Sequence, residues 1–399
     1  MGTLLARARV ALVRAGFGVG RLLPVRRRVV FATAHADCLD GNLAEIRNAL
    51  ARRAPEAEVV VLARRVRSGL RGALLAALDA IVAGWHLARA SLIVLDDYWF
   101  PLYAIRPRPG TRHIQVWHAC GAFKRFGRSV VDRGFGANRA TLATVAIHSN
   151  YDLCLVSAAR FAPFYAEAFG LPLERFTARL GVPRTDLFFD PPRRAAAEAA
   201  VRQRYGIPTG RTIVLYAPTF RGERITAATS PTDLDLGALA AALGDDHVVL
   251  VRAHPFVTAR QTRSVSDAGA PDRHGSPGRR GPRVIDVSAW PEMNELLLVT
   301  DILVTDYSSA IFEFALLGRP IAFFAPDHAS YESERGFYLD WPADLPGPVF
   351  ERMADLAAWL RAGAFDLERV RAFGAAAFDV ADGRATERFL DEEVLPALR

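Results

Sequence analysis

Short β-branched or apolar runs alternate with loops and helical stretches along almost the whole chain, and few folds accept that alternation. The candidate strands are Val29–Thr33, Val59–Leu62, Leu92–Leu95, His113–Trp117 and Leu153–Val156, followed after a break by Ile213–Ala217, Val248–Arg252, Ile302–Thr305 and Ile321–Phe324. Strands joined through helices must cross over, which implies parallel sheets covered by helices. A Pro- and Arg-rich stretch at 183–208 separates the two series. The fold class expected is therefore α/β, with two Rossmann-like, doubly wound domains at 29–190 and 191–383. A chain of 399 residues is long enough for each to bury its own core. Residues 258–283, polar and rich in Gly, Pro and Arg, read as a mobile surface loop, and 384–399 as a closing amphipathic helix.

Residues 1–28 form a separate basic segment. Arg7, Arg14 and Arg21 recur on one helical face, Leu5, Leu12 and Val19 on a roughly opposite one, and Arg26–Arg28 follow as a block. A basic amphipathic helix of this kind can lie on an anionic membrane surface. The plainer reading is a helix packed on the first domain, in which Gly16, Gly18 and Gly20 weaken the helix and Arg9 falls off the basic face. Residues 72–88 are the most apolar run, but Asp79 and His86 interrupt it, so a buried helix is expected there. Arginines near the start argue against a signal peptide. Cys38, Cys120 and Cys154 form no CxxC pair, which points to a reduced, cytoplasmic setting. A net charge of +7 favours anionic partners. The arginines are dispersed, not interleaved with aromatics, which argues against nucleic acid.

Ligands of open α/β sheets bind outside the carboxyl ends of the strands, and four strand ends are conspicuous. His118 follows the first, and Lys124, the single lysine among fifty basic residues, lies six positions on. A histidine can take a proton from a hydroxyl, and a lysine can hold a phosphate. Thr219 and Arg221 follow Pro218 at the second, and Arg suits bidentate phosphate binding. Arg252 and His254 alternate at the third, so both point to one side. At the fourth, Thr305 runs into Asp306, Ser308 and Ser309, which open a helix whose N–H groups can bind an anion or simply be capped. Glu313 lies one turn after Ser309, where a carboxylate can accept from ribose hydroxyls. Arg184 and Asp186 are expected to pair with each other or to close a hinge, and Asn42 to cap the first helix. No Walker motif, GxGxxG, HExxH or carboxylate cluster is present, so no cofactor or metal is assigned.

These residues stand in segments that resemble the CDP-glycerol glycerophosphotransferase family of teichoic-acid synthesis. The matching segments are QVWHACGAFKRFG (115–127), LGVPRTD (180–186), LYAPTFRG (215–222), VLVRAHP (249–255), VTDYSSAIFEFALLGRPIAFFAPD (304–327), Tyr331 with RGFY (335–338), and FDVADGRATERF (378–389). The resemblance spans roughly residues 29–390. It implies a GT-B architecture with the site in a cleft between an N-terminal acceptor domain and a C-terminal domain for the CDP donor. His118 resembles the family's catalytic base and His254 its second active-site histidine. Thr219, Arg221, Ser308, Ser309 and Glu313 fall on donor-contacting motifs. Many members read WHGTP where this chain has WHACGAFK, which leaves the acceptor, and glycerol against ribitol, open.

The function expected is transfer of a polyol phosphate, sn-glycerol phosphate first, from CDP-glycerol or CDP-ribitol to a hydroxyl of a polymer or lipid-linked primer, with CMP leaving. His118 would take the proton. His254, Arg252, Arg221 and the Ser308–Ser309 turn would hold the diphosphate, and the enzyme would sit peripherally on the inner face of the membrane. A nucleotide-sugar glycosyltransferase and a non-catalytic membrane scaffold are the rival readings.

Overall fold

The computed structural model describes residues 2–34, 36–64, 69–131, 145–222, 229–231, 234–254, 257 and 283–399. The surface loop expected at 258–283 lies, except for Arg283, outside the described residues. Two compact units are present. The first comprises Met1–Gly121, Arg125–Asp186 and Phe378–Arg399, the second Ala122–Lys124 and Leu187–Ala377.

Each unit is built on a six-stranded sheet in which every pairing is parallel. In the first unit the strands are β1 (Arg26–Thr33), β2 (Glu58–Ala63), β3 (Ala90–Leu95), β4 (Arg112–Gln115), β5 (Leu153–Leu155) and β6 (Phe176–Thr177). They lie in the order β2-β1-β3-β4-β5-β6. In the second they are β7 (Thr212–Ala217), β8 (His247–Val251), β9 (Val284–Asp286), β10 (Ile302–Thr305), β11 (Ile321–Phe324) and β12 (Val349–Phe350). Their order is β12-β11-β10-β7-β8-β9. β1 from Arg28 onward, β3, β7, β8, β10 and β11 are almost wholly buried, as strands covered on both faces must be, and this explains their largely apolar sequence. The strands not anticipated, β6, β9 and β12, are two or three residues long and lie at sheet edges. Runs so short carry no periodic signal.

The closing helical stretch, Ala385–Ala397 with a π-turn at Leu390–Val394, belongs to the first unit. Phe389, Leu390 and Val394 join its core beside β1, β3 and the helix α2 (Gly41–Arg53). The chain thus leaves the first unit at Asp186, not 190, and returns at Phe378, not 384. Asp186 secures the return. It is buried, and its two carboxylate oxygens accept from the backbone N–H groups of Ala385 (3.0 Å) and Thr386 (2.8 Å), the first turn of that helix. Burial pushes its carboxyl upward against the pull of those N–H donors. Of the two roles expected, Asp186 therefore does not pair with Arg184 but holds together the place where the chain leaves and re-enters the first unit.

Helices α1 (Gly2–Gly20) and α3 (Gly69–Arg89) pack together on this unit. Of the glycines expected to weaken α1, Gly16 and Gly20 make the packing possible, while Gly18 meets nothing. A Cβ on Gly16 would come 2.0 Å from the Ile81 carbonyl, and one on Gly84 2.1 Å from that of Val13. Val10, Val13 and Phe17 are buried, while Leu4 (75 % exposed), Leu5 and Val19 face outward. The expectation of a buried helix at 72–88 is corrected. α3 exposes Leu74, Leu75, Leu78 (59 %), Ile81 and Val82 along its outer face. Residues Arg71–Arg89 are long and apolar enough to cross a bilayer. Yet α3 joins β2 to β3, both paired to β1, so its two ends return to one sheet and it lies along that sheet.

Asp186→Ala should lower the unfolding free energy by about 1–3 kcal/mol, because it strands buried N–H groups at a helix start. The check is the urea midpoint. An unchanged midpoint would show that Asp186 does not secure the C-terminal helix.

Candidate active site

In the first unit the chain reverses sheet direction between β1 and β3, the position where open α/β sheets form a ligand crevice. β4 stops at Gln115, two residues short of the expected strand, because Trp117 turns into the left-handed region (φ 54°). Such a turn in a bulky residue costs about 1–3 kcal/mol and persists only where the surroundings enforce it. Here buried Gln115 accepts from the Trp117 N–H (2.8 Å) and donates to the Asp97 carbonyl and the Tyr151 hydroxyl (both 3.1 Å). Asn42 donates to the carbonyls of Val116 (3.1 Å) and Trp117 (2.8 Å) and accepts from the Arg184 N–H (2.9 Å). It lies inside α2, after the flanking residue Asp40, so it braces this turn instead of capping the helix.

The turn presents His118, with its ring stacked on Trp117 (4.5 Å between centroids) and its side chain 45 % exposed. His118 Nδ1 lies 3.0 Å from the Asp96 carbonyl, which can only accept. Nδ1 therefore carries the proton in the neutral ring, and Nε2 is the basic nitrogen. The Asp97 carboxylate, 3.7 Å from Nδ1, is placed to stabilise an imidazolium. Arg184 donates to the His118 carbonyl, fixing the loop from its far side.

In the second unit the direction reverses between β7 and β10. Thr219 and Arg221 follow β7, and Asp306 to Ser309 follow β10. A buried carboxylate ties the two loops together. Asp306 accepts from the N–H groups of Thr219 (2.8 Å) and Tyr307 (2.5 Å) and from Arg221 Nη1 (2.9 Å). Arg221 also forms a two-point pair with Asp327, through Nε (2.5 Å) and Nη2 (3.1 Å), and Nη1 donates to the Thr219 carbonyl (2.9 Å). Burial opposes the arginine's charge, but Asp306 and Asp327 more than compensate and hold its pKa up. Burial likewise works against ionised Asp327, and the Arg221 bonds bring its pKa below the usual carboxylate range. Tyr307 donates to Asp327 (3.0 Å) and stacks on Tyr331 (4.0 Å). Arg221, expected to grip phosphate, is thus largely occupied in holding this edge of the sheet together.

The other anticipated residues divide. Ser308 and Ser309 are half-buried at the start of the short helix Ala310–Ala315, where the Ser308 hydroxyl accepts from the Ala310 N–H (3.2 Å). Glu313, on that helix, is only 3 % exposed. Thr305 is fully buried with its hydroxyl donating to the Ala217 carbonyl (2.7 Å), so it serves the sheet and is corrected as a ligand contact. Arg252 and His254 follow β8, the next strand of the sheet. Arg252 donates to the carbonyls of Trp290 (2.8 Å) and Pro291 (3.2 Å), and the His254 ring lies 4.8 Å from that of Phe220. Lys124 is held differently from His118. It belongs to the second unit, bridging to Phe337 and donating to the Tyr331 hydroxyl (3.3 Å). The residues not anticipated in these roles are Asn42, expected only as a cap, Gln115, Asp306 as the tie between the loops, and Asp327. Each is one polar residue among many until the fold brings its partner near.

With this geometry established, comparison with known proteins is direct. Residues 19–393 match the model of the family described as CDP-glycerol:poly(glycerophosphate) glycerophosphotransferase. The teichoic acid ribitol-phosphate primase of Bacillus spizizenii is 35% identical over 98% of this chain and 97% of its own. The teichoic acid poly(ribitol-phosphate) polymerase of the same organism is 32% identical over 97% of this chain and 59% of its own. Among solved structures, the wall teichoic acid polymerase TagF superposes with a TM-score of 0.73 over 96% of this chain and 93% of that one, at 23% identity, and so shares the GT-B-type fold. The family match over nearly the full length, agreeing with the parallel sheets and with the residues at their carboxyl edges, shows that this chain is an enzyme of the CDP-glycerol:poly(glycerophosphate) glycerophosphotransferase family.

Proposed function

We propose that the enzyme transfers ribitol phosphate from CDP-ribitol to a terminal hydroxyl of a lipid-linked teichoic-acid primer. Polyol-phosphate transfer from a CDP-linked donor follows from the family. The choice of ribitol over the glycerol first expected rests on one observation. The ribitol-phosphate primase matches at 35% identity end to end, whereas the glycerol-phosphate primase of the same organism matches at 28% over 66% of this chain.

In this reading the acceptor oxygen attacks the polyol-bearing phosphorus. A new P–O bond forms, the P–O bond to CMP breaks, and CMP departs with the electron pair. His118 Nε2 takes the hydroxyl proton as the bond forms, with Nδ1–H held by the Asp96 carbonyl so that the basic nitrogen is always the same one. Arg252, His254 and the Ser308–Ser309 turn meet the diphosphate, Lys124 adds a compact positive charge, and Glu313 takes the ribose. Thr219 and Arg221 keep that turn in place through Asp306. Little covalent work falls to the protein in phosphoryl transfer, and positioning with fixed charge carries the rate.

The same reading places the enzyme peripherally on an anionic membrane. Support comes from the outward apolar residues of α1 and α3 beside exposed Arg7, Arg14 and Arg21. Apolar burial and basic side chains together give this kind of attachment.

Three outcomes test these statements. CMP release should be fastest with CDP-ribitol in a panel of CDP-polyols. Faster release with CDP-glycerol would return the donor to glycerol, and a nucleoside diphosphate product from sugar nucleotides would sink phosphotransfer altogether. His118→Ala should slow transfer by about 10²–10⁴-fold with donor binding intact, and His118→Asn, which cannot take a proton, nearly as much. Near-native rates in both would move the base elsewhere, with His254 next. Replacing Leu4, Leu5, Leu74 and Leu78 by Ser, all exposed in the fold, should weaken sedimentation with anionic vesicles, and salt should weaken it for the native chain. Equal, salt-insensitive sedimentation would refute membrane attachment by this face.

A further inference from the structure

The loop that anchors His118 runs directly into the wall of a cavity that the catalytic reading leaves unused. The cavity, of about 320 Å³, lies in the first unit at the carboxyl ends of β1, β2 and β3. That volume falls in the usual range for small-ligand sites. Leu75, Val82, Val61 and Phe100 give it an apolar lining. Leu75, Val82 and Val61 are themselves exposed, so the cavity opens onto the outer apolar face of α3 and is not a void sealed in a core.

One wall carries charge. Arg9, the arginine that falls off the basic face of α1, is half-buried with its guanidinium 4.4 Å above the centre of the Phe100 ring. Its buried Nε has no hydrogen-bond partner among the described residues. Burial lowers its pKa, with Tyr98 and Asp79 opposing, but a guanidinium remains charged. Asp79 and Arg64 also line the cavity and are paired with each other (2.8 Å). Burial pushes Tyr98 up to about 12, which keeps its hydroxyl protonated and able to donate. A cation with unused donor capacity thus stands beside an apolar slot open to the surface, and buried charge of this kind is costly unless a counter-ion joins it.

We propose that this cavity binds the lipid-phosphate end of the lipid-linked acceptor, with the phosphate on Arg9 and a single apolar chain along α3. The assignment rests on the acceptor reading above. It adds a reason for the site's location, because Asp96, whose carbonyl holds His118, precedes cavity-lining Tyr98 by two residues. A lipid phosphate held here would be tethered beside the loop that orients the base. The small volume suits one chain and not the paired tails of a bulk membrane lipid.

The test is titration calorimetry of the full chain with dodecyl phosphate below its micelle concentration. The expected result is one saturable site that neither inorganic phosphate nor a two-tailed phosphatidic acid displaces. Arg9→Gln should weaken dodecyl phosphate about tenfold or more, the loss of one charge-assisted contact, and leave dodecanol binding unchanged. Ala76→Phe, which narrows the cavity, should weaken both ligands. Native affinity in Arg9→Gln and Ala76→Phe, or full displacement by inorganic phosphate or phosphatidic acid, would overturn the proposal. If circular dichroism shows that the variants are unfolded, a photoactivatable dodecyl phosphate on the native chain decides. Label within 75–83 or 98–101 supports the site, and label confined elsewhere overturns it. CMP release to a water-soluble acceptor is measured in parallel. Intact release without lipid binding fails this inference alone, and lipid binding without release fails the catalytic reading alone.

Discussion

Parallel pairing of strands is the constraint from which the rest of this protein follows. A parallel sheet cannot be closed by hairpins, so every strand needs a crossover and all strand carboxyl ends fall on one edge. Both units obey this, and in both the chain starts in the interior of the sheet, builds one side and returns to build the other. The loops that diverge at the reversal leave a crevice. His118 and the cavity beside it lie on that edge of the first sheet. Thr219, Arg221 and Ser308 to Ser309 flank the reversal in the second, with Arg252 and His254 one strand further on. Within each unit these polar residues gather at one edge because the topology brings the strand ends together there.

What holds these loops in working shape is buried polar bonding, done differently in each unit. In the first, neutral amides do the work: Gln115 and Asn42 satisfy the backbone of a left-handed tryptophan and so aim the next residue, His118, outward. In the second the device is ionic. Asp306 and Asp327 share one arginine, and Asp306 also collects two backbone N–H groups from loops that are 87 residues apart or adjacent to it. Charges withdrawn from water need partners, and here buried Asp306 and part-buried Arg221 and Asp327 pair with one another. Such networks favour one arrangement of the loops over others.

The outer face of α1 and α3 follows a different rule. Most of the large apolar side chains exposed on the described surface are on these two helices or in the turn just after α1, and the helices approach closely enough at Gly16 and Gly84 for backbone to meet backbone. Their inner face is committed to the protein, and their outer face mixes exposed apolar side chains with the exposed arginines Arg7, Arg14 and Arg71. α3 joins two strands of one sheet, so both of its ends are held at that sheet.

Much of this was legible in the linear chain. Nine strands, the α/β class, the two units and the polar residues at the strand ends all announce themselves locally, since a strand buried on both faces must be apolar throughout and the residues just beyond it need not be. What the chain could not announce was anything depending on a distant partner. Asp186 could be read as a companion for Arg184 or as part of a hinge, and its actual partners are the N–H groups of a helix about two hundred residues away. Thr305 looked like a ligand contact and is buried on Ala217. Lys124 stood six residues from His118 but joined Tyr331 in the other unit. The apolar run at 72–88 looked like core because hydrophobicity reports only a preference to avoid water. Which face a helix turns inward depends on its neighbours, and those are supplied by the tertiary fold.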